Sequence, residues 1–240
     1  MRSEAREEFF LAPGLTLLNH ASYGLTSRRV AAHADRIRQE IESDPTVYLG
    51  QHLTERLREL TAEVATALTL PATGTTLCAN ATSAAAAIIS SLPLGPGSTV
   101  AAEVSLTWDS ADLVERFSWP GTFDPVPRLS LDEALTQHHG WLTAGAFTRC
   151  EDLAAASVPL LTGLGAIPTT TDAYTPPRMR AFTLDGVTAP EVKASMSRAG
   201  IRVWCGPGAD GSTILRIATH VYTDQADLEL LCAQVKETVP

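Results

Sequence analysis

Residues 179 to 204 read MRAFTLDGVTAPEVKASMSRAGIRVW, and this stretch decides the fold class. Met179 to Leu184 reads as a strand. Thr188-x-x-Glu191 is a capping box, with Pro190 in the first turn of a helix that ends near Gly200. Ile201 to Trp204 is a second strand. Thr213 to Ala218 is a third, separated from it by the turn Gly206 to Gly211. Asp224 to Val239 closes the chain as a helix with Leu228, Leu231 and Val235 on one side. Strands and helices in this order make a small α+β unit.

Working towards the N-terminus, residues 150 to 164 read as a helix that Pro159 would kink, and Leu131 to Gln137 as a short one. Trp108 to Pro127 is irregular. Thr99 to Leu106 and Thr75 to Cys78 are β-prone. Between them Asn80-Ala-Thr-Ser83 leads into an alanine-rich helix that Gly95-Pro-Gly97 stops. This order starts an α/β layer. Further back, Leu53, Leu57, Leu60, Val64 and Leu68 mark one face of a helix over 51 to 69. Val30, Ala34, Ile37 and Ile41 do so over 28 to 42, and Asp44-Pro45 breaks the chain between the two. The expected division is a helical segment over 1–70, a truncated large domain over 71–168 and a small α+β domain over 169–240.

Composition narrows the function classes. Hydrophobic residues make up 45% of the 240 and charged residues 19%, as in globular proteins. The net charge of −9 with no basic stripe argues against nucleic acid or a membrane surface as partner. No apolar run is long enough to span a bilayer, and Glu4, Glu7 and Glu8 are wrong for a signal peptide. Cys78, Cys150, Cys205 and Cys232 form no C-x-x-C pair. That points to reduced thiols in a cytoplasmic protein and to no metal site. Lysine occurs only at 193 and 236.

Several short motifs resemble, in order, the isopenicillin-N-epimerase-like members of the class V aminotransferase family. Phe10-Leu-Ala-Pro-Gly14 and Leu18-Asn-His-Ala-Ser-Tyr-Gly24 are similar to that family's opening. Asn80-Ala81-Thr82 is similar to its cofactor-phosphate turn, and Phe117-Ser-Trp-Pro-Gly-Thr-Phe-Asp124 to its W-x-G-T-x-D segment. Gly200-Ile201 and Leu215-Arg-Ile-Ala-Thr-His-Val-Tyr222 are similar to its C-terminal domain. The resemblance implies a reduced version of fold type I of the pyridoxal phosphate (PLP) enzymes: an α/β sheet of fewer strands with a C-terminal α+β subdomain. It also implies a homodimer. The departure is large. The family's aspartate for the pyridine nitrogen, its stacking histidine and its Schiff-base lysine lie between the segments matching Val104 and Trp119, and that stretch is missing here. Lys193 and Lys236 both occupy helical positions where lysine normally faces water.

Each candidate residue carries two readings. Asn80, Ala81 and Thr82 either offer an anion the free N–H groups of a helix start or simply cap that helix. Gly121-Thr122 either reaches the partner subunit's phosphate site, as the resemblance implies, or forms a plain turn. Arg216 points away from Leu215 and Ile217 on its strand. The resemblance gives it the substrate's carboxylate, for which a planar fork is suited, and the alternative is a structural ion pair. His20 and Tyr23, with Ser22, form a polar cluster that the resemblance places at the substrate entrance, beside Asn19 as a substrate contact; a neutral histidine there can act as acid or base, and the alternative for each histidine is a hydrogen-bonded or surface residue. His220 is a second histidine candidate. His138-His139 reads as a solvated helix end.

Three functions follow as expectations. The first is an enzyme acting without an internal PLP aldimine on a small carboxylate, phosphate or amino-acid-derived metabolite, as an isomerase, lyase or cyclase in biosynthesis. The second is an inactive relative that binds a protein partner. The third is an enzyme holding PLP noncovalently. No tightly bound cofactor is expected.

Overall fold

The structure is a computed structural model describing residues 4–91, 124–208 and 210–239, apart from the side chains of Thr82, Ala86, Ile89, Ser90 and Asp172. The fold is α/β, with parallel and antiparallel pairing. It divides into two compact units: Met1–Arg29 with His138–Pro240, and Val30–Gln137.

In the first unit, β1 (Thr16–Leu17) comes from the N-terminal segment. β2 (Ile167–Pro168), β3 (Met179–Leu184), β4 (Ile201–Arg202), β5 (Trp204–Pro207) and β6 (Thr213–Ala218) follow. Four of these form an antiparallel sheet in the order β2-β3-β6-β5, while β1 pairs with β4 in parallel. Side chains alternate across this sheet. Phe182, Leu184, Leu215 and Ile217 point to one face. There they meet Leu161, Val192 and Met196, with Leu228, Leu231 and Val235 of the Gln225–Thr238 helix. Fully burying side chains of this size contributes about 1.5–3 kcal/mol each, so this face is the main source of the unit's stability. Arg216 lies on the other face, registered between Ala181 and Trp204. The Trp204 ring folds over Gly206, where a Cβ would stand 2.7 Å from it.

The capping box at the Ala189–Arg198 helix is present: Glu191 accepts from both the N–H and the hydroxyl of Thr188. Asp224 caps the last helix, paired reciprocally with Asp227. Asp227 is buried. It also accepts the Thr16 hydroxyl at 2.7 Å and faces Arg6 at 3.8 Å. The Arg6 guanidinium holds the Leu15 carbonyl as well. These ties fix the N-terminal segment beside β4. Beyond β1 the segment steps across to the end of β6: the Ala218 N–H donates to Leu18 O at 2.8 Å, and Asn19 bridges to Ala218.

In the second unit, the Arg28–Ser43 helix ends before Asp44, whose carboxylate accepts the Val47 N–H at 3.0 Å. A short turn of helix and a π-helical turn, Tyr48–His52, lead into the Leu53–Ala67 helix. Ile37, Ile41, Leu53 and Leu57 pack with Val126 and Leu129. The Ala81–Ser91 helix follows the asparagine turn as expected. Thr75 to Cys78 is irregular rather than a strand. A β-prone run becomes a strand only when its N–H and C=O groups find a ladder, and this run has none among the described residues. Gly95 to Gly97, the strand expected over Thr99 to Leu106, and Gly121-Thr122 lie outside the described residues. The Leu131–Thr143 helix runs on through His138 and His139, past the end expected at Gln137. The next helix, Ala146–Thr162, starts earlier than expected and keeps Pro159 inside it.

Candidate functional site

Four segments of the first unit surround a cleft of about 400 Å3. The N-terminal segment brings His20 and Ala21. The junction after β6 brings Thr219 and His220. Pro176, Pro177 and Arg178 come from the approach to β3, and His138 and Phe147 from the helical region. The volume lies in the range of small-molecule sites.

The junction after β6 is built by local bonds. His220 donates its N–H to the Thr223 hydroxyl at 3.0 Å, and the Thr223 N–H returns to His220 O at 2.8 Å. Thr219 is pinned on both sides, its hydroxyl donating to Cys150 O at 2.8 Å and its N–H to Arg178 O at 3.0 Å. Because the Leu18–Asn19 bridge ends on this junction, His20 and His220 stack: their ring centroids are 3.7 Å apart and 15° from parallel.

Tyr222 fixes the His20 ring. Its hydroxyl lies 2.9 Å from His20 Nδ1. The phenol is fully buried and burial pushes its pKa up, so it stays protonated. A buried phenol needs an acceptor, and Nδ1 is the one at hand. That assigns the His20 proton to Nε2. His20 is itself held neutral, its pKa lowered by burial and then by Arg178.

His220 is more strongly affected. It is only 8% exposed and enclosed by Phe9, Trp141, Phe147 and Tyr222. Burial, followed by His20, Arg178 and His138, lowers its pKa to about 3. His138 is lowered in the same way, by burial, Arg178 and His139. The cleft therefore presents three neutral imidazoles and one cation. The Arg178 guanidinium lies over the Phe147 ring at 4.4 Å. Among the described residues no aspartate or glutamate lines the cleft.

Buried polar atoms without a partner among the described residues include His220 Nδ1, Asn19 Oδ1 and Arg216 Nε. Most such atoms in folded proteins are paired, so each of these marks a place where a polar partner is wanted. All three residues are sequence-stretch candidates for substrate contact. Arg216 meets no carboxylate among the described residues. Its guanidinium donates to the Ser22 hydroxyl and lies 5.1 Å over the Trp204 ring. It does not line the cleft.

The structure thus brings His20 and His220 together and places Asn19 and Arg216 at the same strand end. Tyr23 stands apart: it is 78% exposed and outside the cleft lining. Asn80 caps its helix, its side chain accepting the Ser83 N–H at 2.8 Å, with Ala81 exposed beside it. The Thr82 side chain and Gly121-Thr122 lie outside the described residues. Lys193 and Lys236 are exposed on their helices, and neither lines the cleft. Among the described residues no group of three histidine, cysteine or acidic side chains could hold a metal ion. No described helix is long and apolar enough to cross a membrane.

Arg178 and Tyr222 escaped the sequence reading as site residues, while His138, read as a solvated helix end, stands inside the Leu131–Thr143 helix and lines the cleft. A faint signal existed for the first two. Tyr222 lies two residues beyond His220, and Arg178 follows two prolines at a strand start. Neither spacing shows that a partner 200 residues away would complete the site.

Among solved structures, the chain is similar to a NifS-like protein, at 18% identity over 49% of this chain and 34% of that one, with a TM-score of 0.42. It is similar to a serine palmitoyltransferase from Sphingomonas wittichii at 15% identity over 52% of this chain and 32% of that one, with a TM-score of 0.42. The alanine–glyoxylate aminotransferase from Nostoc sp. gives 17% identity over 50% of this chain and 33% of that one, with a TM-score of 0.43. The aligned part spans about a third of the length of each of these proteins. No protein-family model and no curated protein matches the chain. These overlays carry no functional residue across to it.

Proposed function

We propose that this chain is a divergent class V aminotransferase-like protein that acts on a small carboxylate- or amino-acid-derived metabolite without a PLP Schiff base. The observation that carries the reading is the imidazole pair. His20, oriented by Tyr222, stacks on His220, whose Nδ1 has no partner among the described residues, in a cleft whose described lining holds an arginine and no carboxylate. With Nδ1 accepting from Tyr222, His20 has Nε2–H to give to a ligand oxygen. A neutral imidazole can give a proton and take it back near pH 7. That suits an isomerisation or an elimination in a biosynthetic pathway.

Solvent-deuterium incorporation into a panel of small oxo, hydroxy and amino acids, followed by proton NMR, tests this. At least one acid should label faster than in buffer alone. His20→Gln should remove that labelling while the same acid still binds through the arginine, at an affinity changed by no more than the loss of one hydrogen bond. Labelling no faster than in buffer across the panel would favour the alternative of an inactive relative that binds a partner.

PLP held as a Schiff base does not fit the residues of the cleft, because both lysines are exposed on helices outside its lining. Borohydride treatment of protein mixed with PLP is expected to leave no label mapped to Lys193 or Lys236 above that on a denatured control. A stoichiometric label at either would restore the conventional cofactor chemistry.

A further inference from the structure

We propose that Arg178, rather than Arg216, anchors the ligand's carboxylate, and that the cleft takes a 2-oxo or 2-hydroxy acid with an apolar body in preference to the corresponding amino acid. This deepens the reading above and rests on its use of the cleft.

Three observations carry the choice of arginine. Arg178 lines the cleft and Arg216 does not. The Arg178 guanidinium carbon lies 4.4 Å from the Phe147 ring centroid, and the group meets no carboxylate among the described residues. A guanidinium resting on an aromatic ring can still offer its N–H fork to a bidentate acceptor. Arg216 is already engaged by Ser22 and lies over Trp204. The Arg178 backbone is also fixed, since its carbonyl accepts the Thr219 N–H at 3.0 Å. The anchor therefore stands at a set place beside His220.

The lining decides the rest of the ligand. An amino acid carries its ammonium one carbon from its carboxylate. Held at Arg178, that ammonium would sit beside a guanidinium, with no aspartate or glutamate among the described lining residues to balance it. His20 offers a donor at Nε2, because Tyr222 occupies Nδ1. A donor matches an oxo or hydroxyl oxygen at the second carbon and opposes an ammonium there. The remaining lining includes Phe147, Pro176, Pro177 and Met179, which suits an apolar body.

Calorimetric titration of the full chain at pH 7.5 with phenylpyruvate, phenyllactate, phenylalanine and inorganic phosphate tests both parts. The oxo or hydroxy acid is expected to bind at least about tenfold more tightly than phenylalanine and than phosphate. Arg178→Lys should weaken it about tenfold or more, since the charge stays and the fork is lost. Arg216→Lys should leave it within about twofold. Phenylalanine or phosphate binding as tightly as the oxo acid overturns the ligand class, and so does an oxo acid that does not bind. Loss of binding in Arg216→Lys with none in Arg178→Lys overturns the anchor. The wild-type comparison needs no variant to fold. Because binding is read without turnover, a chain that binds the oxo acid but labels no substrate keeps this inference and loses the catalytic one.

Discussion

His220 shows how a single side chain couples the site to stability. Its pKa falls from about 6.5 in the unfolded chain to about 3 in the folded one. Between those values the unfolded state binds the proton and the folded state does not. Stability contributed by the neutral, buried ring is therefore complete above pH 6.5 and is lost as pH falls towards 3. The groups facing it are His20, Arg178 and His138, all basic, so none rescues the charged form. One proton corresponds to about 1.4 kcal/mol per pH unit. Urea unfolding at pH 7, 6, 5 and 4 should show a decline of that order below pH 6, and His220→Asn should flatten it. An unchanged slope in the variant would show that other groups set the acid limb. At this same scale, His20 and His220 were legible as candidates because they stand in motifs that resemble a family's opening and C-terminal segments, whereas each histidine alone reads equally as a hydrogen-bonded or surface residue. The sequence could not distinguish Tyr23 from Tyr222 as the phenol beside His20. That choice depends on which tyrosine is buried, and Tyr222 is buried while Tyr23 is exposed, a difference set by contacts distant in sequence.

At the scale of elements, legibility tracked whether the signal was local. The capping box at Thr188 and Glu191, the helix started by Asp224 and the strands over Met179–Leu184 and Thr213–Ala218 all appear where the pattern put them. Caps and alternation are written within a few residues. Thr75 to Cys78 failed as a strand because strand formation needs a partner, and a partner is not a local property. The same non-local logic governs β1, which is only two residues long. Two hydrogen-bonding residues cannot hold a segment by themselves. The Thr16–Asp227 bond and the Arg6–Asp227 contact do much of that holding. Asp227→Asn is expected to cost about 1–3 kcal/mol, by weakening a buried charged hydrogen-bond set. More tellingly, it should speed amide exchange at Thr16 to Leu18 ahead of exchange in β3 and β6. Uniform acceleration across all these strands would mean that Asp227 supports the unit as a whole rather than the N-terminal segment.

For the whole molecule, the sequence reading captured the fold class, while the structure groups the N-terminal segment with the C-terminal unit. Nothing in Thr16–Leu17 announces that its partner is Ile201–Arg202, because two-residue parallel pairing leaves no periodic trace. The homodimer implied by the family resemblance stays a proposal at this scale. Light scattering at micromolar concentration should give twice the chain mass of 25.5 kDa. A mass near one chain would count against it and against a partner subunit contributing to the site.

The order of synthesis gives the divided first unit a further meaning. The ribosome releases Phe9, Thr16, Leu17, Leu18 and His20 early, yet the groups that cover or bond them, including Ile201, Ala218, Tyr222 and Asp227, come some 180 to 210 residues later. At roughly 5–20 residues per second that is a wait of about 10–40 seconds. Throughout it, three large apolar side chains emerge without their later cover, while Val30–Gln137 is made and can collapse on its own core. A nascent chain arrested before Thr213 should thus be held by a chaperone that grips apolar segments at residues 9 to 18. One released past Val239 should lose that grip, as the cleft's earliest-made wall is the last to be closed.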